Sequence, residues 1–462
     1  MIHKKRSRWS TGPLLLFALV LLFASTASAE WKEKVLYSFQ GGTDGAFPAG
    51  GVVFDQQGNL YGATQQGGGT NCSPMAACGT VYQLAPPTKQ GDPWTETLLH
   101  VFQGKQHNDG EFPSGGVIAD GLGNIYGTSS YGGTGNCVLL GIKGGCGTVF
   151  ELSPPQSKGG QWTYTILYSF KGGKDGYLPF GDLVFDSAGN LYGATYFGGG
   201  KGTTCDPYYQ YCGTVFELSP PKAKGGKWTE KVLHSFAGGT DGANPNGGLT
   251  LNSQGAIYGT TEIGGFDCPH MSNQGCGTIF ELTVPAKDDG VWREDILYRF
   301  RGFPNDGKLP NGGLSLNAGL IGGTTIGGGA SSGDGTLFEL TPARDGHWTE
   351  SILHTFVDAG DPHGAFPMAG LEVDSSGIFY GTASGGGANG AGTVFRVNPP
   401  KQEGGSWGVS VIYPFAGSPD GAYPAASPVF HGALGDIFGT TQQGGTSASC
   451  QGGCGTVFEV WP

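Results

Sequence analysis

Residues 181–236 read GDLVFDSAGNLYGATYFGGGKGTTCDPYYQYCGTVFELSPPKAKGGKWTEKVLHSF. Four runs rich in β-branched and aromatic residues are separated by turn residues: A (GDLVFD, 181–186), B (NLYGAT, 190–195), C (GTVFELS, 213–219) and D (WTEKVLHSF, 228–236). Such runs, bounded by Gly, Asn and Pro, predict short antiparallel strands joined as hairpins. The stretch then repeats. Gly-Thr-[Val/Ile/Leu] followed by an aromatic opens at Gly79, Gly147, Gly213, Gly277, Gly335, Gly392 and Gly455. A tryptophan opens run D at Trp31, Trp94, Trp162, Trp228, Trp292, Trp348 and Trp407. Seven copies of four strands, with no helical period, predict an all-β fold: a seven-bladed β-propeller with four antiparallel strands per blade.

The two ends of the repeat array fit together. The first copy is preceded by a lone D strand, 31–39, and the last copy, 427–460, has A, B and C but no D. The N-terminal strand is therefore expected to complete the last blade, which leaves no sheet edge open to aggregation. Residues 30–462 form one propeller domain on this reading. Residues 1–29 have a different character: Lys4, Lys5, Arg6 and Arg8, an apolar run from Pro13 to Phe23, then Ala27-Ser28-Ala29. This is the pattern of a cleaved signal peptide. The apolar run falls short of the roughly 20 residues a membrane span needs, so no membrane span is expected.

The chain has 90 glycines, and its 12% aromatic content separates it from a disordered glycine-rich polymer. Loss of four basic and no acidic residues with 1–29 takes the net charge from −12 to −16. Such a surface argues against nucleic acid and anionic membranes as partners.

The repeat L-Y-G-[AT]-T-x-x-G-G followed by G-T-V-F-E-L resembles the GloVer tandem-repeat family of secreted bacterial proteins, over nearly all of 31–462. The family is described as "choice-of-anchor", since its members vary in their C-terminal sorting segment. The resemblance implies the repeat fold and export rather than a particular chemistry. This chain ends inside the last strand, so a released protein is expected rather than a tethered one. The order of strands and turns is also similar to other propeller repeats, such as the NHL type.

All ten cysteines fall in B–C loops as pairs: Cys72/Cys78, Cys137/Cys146, Cys205/Cys212, Cys268/Cys276 and Cys450/Cys454. The fifth and sixth copies lack both members. Pairs that appear and vanish together are read as disulfides within each loop. Structural zinc wants four ligands, and each loop offers two thiols. No pair has the C-x-x-C spacing of a redox site. No metal or cofactor is expected.

In a propeller the D–A and B–C loops share one face. The D–A loops carry Asp-Gly with a proline three positions on, at Asp44, Asp109, Asp175, Asp241, Asp306 and Asp420. The remaining copy, DPHGAFP (361–367), puts His363 where the aspartate is expected. Six carboxylates around a channel mouth can bind a cation or a sugar; alternatively each Asp caps its own turn and the Gly takes a positive φ. Tyr208, Tyr209 and Tyr211 in the third cysteine loop suit stacking on a sugar or a protein partner, or packing against the next blade. Asp267, His270 and Asn273 form a further polar cluster in the fourth loop. His100, His234 and His354 share a D-strand position with Tyr37, Tyr168, Tyr298 and Tyr413, which reads as a packing site with a polar tip. Glu151, Glu217, Glu281, Glu339 and Glu459 on strand C are expected to pair with Lys or Arg on strand D.

Most acidic and histidine positions follow the repeat, whereas catalysis needs unlike residues converging on one point. The leading reading is a secreted, monomeric binding protein. It would recognise a carbohydrate or an extracellular protein partner through its disulfide-pinned face. The alternatives are a secreted hydrolase or lyase at the channel mouth, and a structural extracellular protein.

Overall fold

The computed structural model describes residues 31–462 except 49, 70–77, 90, 139–142, 158, 201–211, 224, 266–267, 269–273, 286–289, 331–332, 358–359, 401, 403–404 and 433–434. It is a seven-bladed propeller of antiparallel sheets. Blade 3 shows the plan: strand A is Tyr177–Phe185, B is Leu191–Phe197, C is Thr214–Ser219 and D is Thr229–Ser235, hydrogen-bonded in that order from the axis outward. In the other blades strand A shortens or splits, as in blade 4 (Ala243–Pro245 and Thr250–Leu251). Lys32–Ser38 pairs with Thr456–Trp461 in the last blade, so the ring closes with the N-terminal strand as the expected D strand. A register shift in the C–D pairing recurs in every blade, as at Val215/Phe216. A bulge there adds twist to the outer pair.

The two sequence signatures meet in the packing between blades. The last aromatic of each D strand lies edge-to-face or tilted against the strand-C aromatic of the next blade: Phe39–Tyr82, Phe102–Phe150, Phe170–Phe216, Phe236–Phe280, Phe300–Phe338, Phe356–Phe395 and Phe415–Phe458, with centroids 5.0–5.8 Å apart. All are fully buried. Such pairs contribute about 0.5–1.5 kcal/mol each beyond the area they bury. The glycine of L-Y-G makes room for this ring. A Cβ on Gly193 would sit 2.6 Å from Phe216 Cζ, and one on Gly259 2.6 Å from Phe280 Cζ.

A second inter-blade contact was not readable from the sequence. The residue before each D–A-loop proline has a positive φ although none is glycine: Phe47, Phe112, Leu178, Asn244, Leu309, Phe366 and Tyr423. Its N–H donates to the carbonyl preceding Gly-Thr in the previous blade, for example Leu178 to Cys146 at 3.0 Å and Tyr423 to Ala391 at 2.9 Å. A left-handed L-residue costs about 1–2 kcal/mol. The fold accepts this seven times because the alternative is a buried, unpaired N–H.

Cys137–Cys146, Cys268–Cys276 and Cys450–Cys454 are disulfides with Cα atoms 5.0–5.1 Å apart. Cys78 and Cys212 are also disulfide-bonded; Cys72 and Cys205, their expected partners, lie outside the described residues. The bridges pack on glycines of the following D–A loop. A Cβ on Gly172 would lie 2.6 Å from Cys137 Sγ, and one on Gly302 2.7 Å from Cys276 Sγ.

Candidate functional site in the axial bore

In six of the seven blades strand A brings two small residues to the axis, such as Gly50-Gly51, Gly247-Gly248 and Gly312-Gly313. They are small because neighbouring A strands meet backbone to backbone. A Cβ on Gly50 would lie 1.9 Å from Gly116 N, and one on Gly115 2.4 Å from Gly181 O. Around this collar runs an axial bore. A vestibule of about 370 Å³ lies at the B–C-loop end, lined by residues of all seven blades. A second section of about 250 Å³ lies toward the A–B turns. Both sections include Asp182, Gly248, Gly313 and Gly370.

The wall of this bore is not sevenfold. On the side of blades 3 and 4 it carries Asp182, Asn246 and Glu262. Glu262 Oε2 accepts hydrogen bonds from Tyr196 Oη (2.8 Å) and Asn246 Nδ2 (3.1 Å). Asn246 Oδ1 is buried and accepts nothing among the described residues. Ile326 on blade 5 and Met368 on blade 6 are apolar, and Gln65, Ser114, Asn311 and Gln442 complete the wall. Glu372 lines the lower section. Among the described residues, no lysine or arginine lines either section.

All three acids are shifted upward, Glu262 in a partly buried position and Asp182 and Glu372 in solvent-exposed ones. Desolvation raises the carboxyl of Glu262 above the ordinary range, against the opposing hydrogen bonds from Tyr196 and Asn246. Desolvation likewise raises Glu372. Protein surrounds Asp182, and desolvation raises it although its carboxylate faces the open lumen and accepts the Gly116 N–H of the neighbouring blade. Carboxyl groups held near the axis in this way can accept from or donate to ligand hydroxyls and attract cations.

Sequence reasoning missed Asp182 and Glu262, although each breaks the repeat. Asp182 occupies the collar position held elsewhere by Gly51, Gly116, Gly248, Gly313, Gly370 and Ser427. Glu262 takes the strand-B position of Gln65, Ser130, Tyr196, Ile326, Ser384 and Gln442. Comparing copies position by position would have found both.

The aspartates of the D–A loops lie elsewhere. None of Asp44, Asp109, Asp175, Asp241, Asp306 and Asp420 lines the bore. Each caps its turn by accepting a main-chain N–H, such as Lys171 to Asp175 (2.6 Å) and Ala237 to Asp241 (2.6 Å). Their other contacts run along the blade boundary. Tyr37 Oη donates to Asp44, Tyr298 to Asp306 and Tyr413 to Asp420, and His100 Nε2 lies 3.0 Å from Asp109. A second acid, from the next blade's D strand, completes the boundary: Glu96 beside Asp44, Glu230 beside Asp175, Glu294 beside Asp241, Glu350 beside Asp306 and Glu33 beside Asp420. Burial first, and the aspartate charge second, push these glutamates up to about 7, 7, 9, 8 and 8 respectively.

In the sixth blade the capping role falls to Asp361, which accepts the Val357 N–H at 3.3 Å. His363 is an addition beside it, its Nδ1 2.9 Å from Asp361 Oδ1. Tyr208, Tyr209 and Tyr211, and the cluster of Asp267, His270 and Asn273, lie outside the described residues. The strand-C glutamates do not take the expected cation partners. Glu151 and Glu217 accept from Ser153 and Ser219 two residues on, and Glu281 from Tyr258 on strand B. Only Glu217 and Glu459 even face a lysine across the ladder.

The sequence pattern of the Gloeobacter/Verrucomicrobia repeat matches the chain over residues 21–205, 137–361 and 330–462. The chain belongs to that repeat family. No curated protein matches it. Among solved structures, a chain from Thermus thermophilus, named provisionally as an oxidoreductase (glucose dehydrogenase), is similar at 15% identity with a TM-score of 0.41. That similarity covers 82% of this family member and 98% of the Thermus chain.

Proposed function

We propose that this member of the Gloeobacter/Verrucomicrobia repeat family is an exported binding protein. Its ligand, a polyhydroxylated chain of saccharide type, would enter the axial bore from the disulfide-pinned face. One observation carries the reading: the bore wall abandons the repeat, gathering Asp182, Asn246 and Glu262 on blades 3 and 4 in a ring that also holds Gln65, Asn311 and Gln442, with Ile326 and Met368 as apolar members. A sugar has hydroxyl edges and apolar faces. Convergent acceptors and donors with apolar groups interspersed match that combination. Export through residues 1–29 belongs to the same proposal. The disulfides support it, since such bonds persist in oxidising compartments. Among the described residues no helix is long and apolar enough to cross a membrane.

A second reading shares the site. Two carboxyl groups raised by desolvation, Asp182 and Glu262, are the kind that general acid catalysis uses, so the bound saccharide could be cleaved as well as held.

The test is calorimetric titration of residues 30–462 with soluble neutral and acidic polysaccharides, with release of reducing ends followed in parallel. Binding that disappears in both Asp182→Asn and Glu262→Gln, in chains that still fold, is the expected result. Release of reducing ends would promote the second reading. Binding that survives both substitutions would move the ligand to the loops. No binding across the panel would remove the proposal.

A further inference from the structure

The blade boundaries share one construction, and a single boundary departs from it. At the others, a D-strand Tyr or His and the D–A-loop aspartate meet a third polar residue, two positions after the tryptophan of the next D strand. That residue is Glu33, Glu96, Tyr164, Glu230, Glu294 or Glu350. Between blades 5 and 6 this position is Val409, which can neither donate nor accept. The D-strand residue here is His354, and its buried Nε2 has no hydrogen-bond partner among the described residues.

The inserted His363 stands against His354. It stands on a loop two residues longer between aspartate and glycine (Asp361-Pro362-His363-Gly364) than the Asp-Gly of the other copies. The loop is held from three directions. Asp361 accepts the His363 N–H at 2.8 Å, the Asp361 carboxylate meets His363 Nδ1 at 2.9 Å, and the His363 carbonyl accepts the Thr393 hydroxyl at 2.7 Å. Thr393 is free to do so because Ala383 stands where most blades place a second threonine, as in Thr195–Thr214 at 2.7 Å. The two imidazole rings lie 5.2 Å apart. One donor atom from each of His354, Asp361 and His363 lies within 4.8 Å of the others.

We propose that His354, Asp361 and His363 form a binding site for a divalent first-row transition cation of the zinc class. Two imidazoles and one carboxylate are a donor set that suits zinc and its neighbours rather than calcium or magnesium. Three protein ligands leave a fourth position open. The His363 side chain is 37% exposed while that of Asp361 is 4% exposed, so the open position faces solvent and the carboxylate anchors the floor. The expectation of no metal rests on the two thiols each cysteine loop offers, and this cluster contains no cysteine.

His234, Asp241 and Glu294, at the boundary of blades 3 and 4, form the obvious rival cluster. There the third residue is the regular glutamate, which burial first and the adjacent Asp241 second push up to about 9. That arrangement is the ordinary boundary with histidine in place of tyrosine, and it serves as the internal control.

The experiment uses the untagged chain, 30–462, stripped with a chelator and titrated with zinc chloride by calorimetry. Cobalt(II) serves as a second probe through its visible absorption. One equivalent is expected to bind. His363→Ala and His354→Tyr should each weaken binding more than about tenfold, since even outer-shell partners change metal affinity on that scale. His354→Tyr restores the residue that Tyr298 supplies at the preceding boundary and is expected to fold; His363→Ala removes a half-exposed ring. Glu294→Gln should leave stoichiometry and affinity unchanged. Zinc should also raise the thermal midpoint of the wild type and of Glu294→Gln, but not of the other two variants. The proposal falls if the wild type binds no zinc, if binding persists in His363→Ala and His354→Tyr, or if it is lost in Glu294→Gln.

Discussion

The boundaries between blades and the axial bore obey different rules. Between blades nearly everything recurs: the buried aromatic pair, the L-Y-G glycine that admits it, the positive-φ residue and its hydrogen bond, and the capping aspartate. In the bore the same backbone geometry recurs, but the side chains do not. One collar position holds five glycines, a serine and Asp182. A residue demanded by packing must reappear wherever that packing reappears. A residue demanded by a ligand on the axis need appear only once, because the axis meets every blade at the same place. Departures from the repeat are therefore the more informative positions here, and the same logic singles out His363.

This contrast can be broken or sharpened by substitution. The largest effect is expected at the boundary. Phe216→Ala removes a fully buried ring from between Phe170 and Gly193 and should cost about 3–5 kcal/mol, read as a lower denaturant midpoint. A loss under about 1 kcal/mol would show that the aromatic ring of contacts does not hold the blades.

A smaller effect, spread over five boundaries, is expected from pH. Glu33, Glu96, Glu230, Glu294 and Glu350 are raised to about 7–9 from an ordinary value of 4.5. The folded chain thus keeps protons that the unfolded chain releases above pH 4.5. Their contribution is fully present below that pH and is lost as pH rises through 7 to 9. Asp241 has the opposite sign. Burial raises it, but hydrogen bonds from His234 and Glu294 outweigh this and bring it to about 2, so its contribution is lost only as pH falls toward that value. The melting temperature should accordingly be higher near pH 5 than near pH 9. Replacing all five glutamates by glutamine should flatten the alkaline limb. Equal melting temperatures at pH 5 and 9, or an unchanged limb in the variant, would show that these carboxyls are not protonated in the fold.

The smallest stability effect is expected in the bore. Asp182→Gly restores the collar residue of the neighbouring copies and removes a surrounded acid whose only described hydrogen bond is from Gly116. Its stability should stay within about 0.5 kcal/mol of wild type, as for changes outside packed features, while saccharide binding is lost. Marked destabilisation would make Asp182 a structural residue and dissolve the contrast.

Much of the fold was legible in the chain because its determinants are local or periodic. Alternating β-rich runs, turn glycines and two signatures repeated seven times specify strands, blade number and closure. The positive-φ residues were not legible: Phe, Leu, Asn and Tyr carry no mark of a left-handed backbone. That conformation arises only because a neighbouring blade presents a carbonyl. The aspartates were legible as a motif, and their place at a blade boundary was not, because the glutamate beside each of them, such as Glu96 beside Asp44, comes from the next blade's D strand, far away in sequence.

By itself, then, the sequence determined the strands, the seven blades, the closing strand and the family, since each depends on spacing along the chain. Tertiary structure alone decided which unlike residues share a space. Ring closure brings Asp182, Asn246, Glu262 and Met368 around one axis, and the lengthened D–A turn brings His363 back to His354. Convergence of this kind depends on where blades meet in three dimensions, and no period along the chain records it.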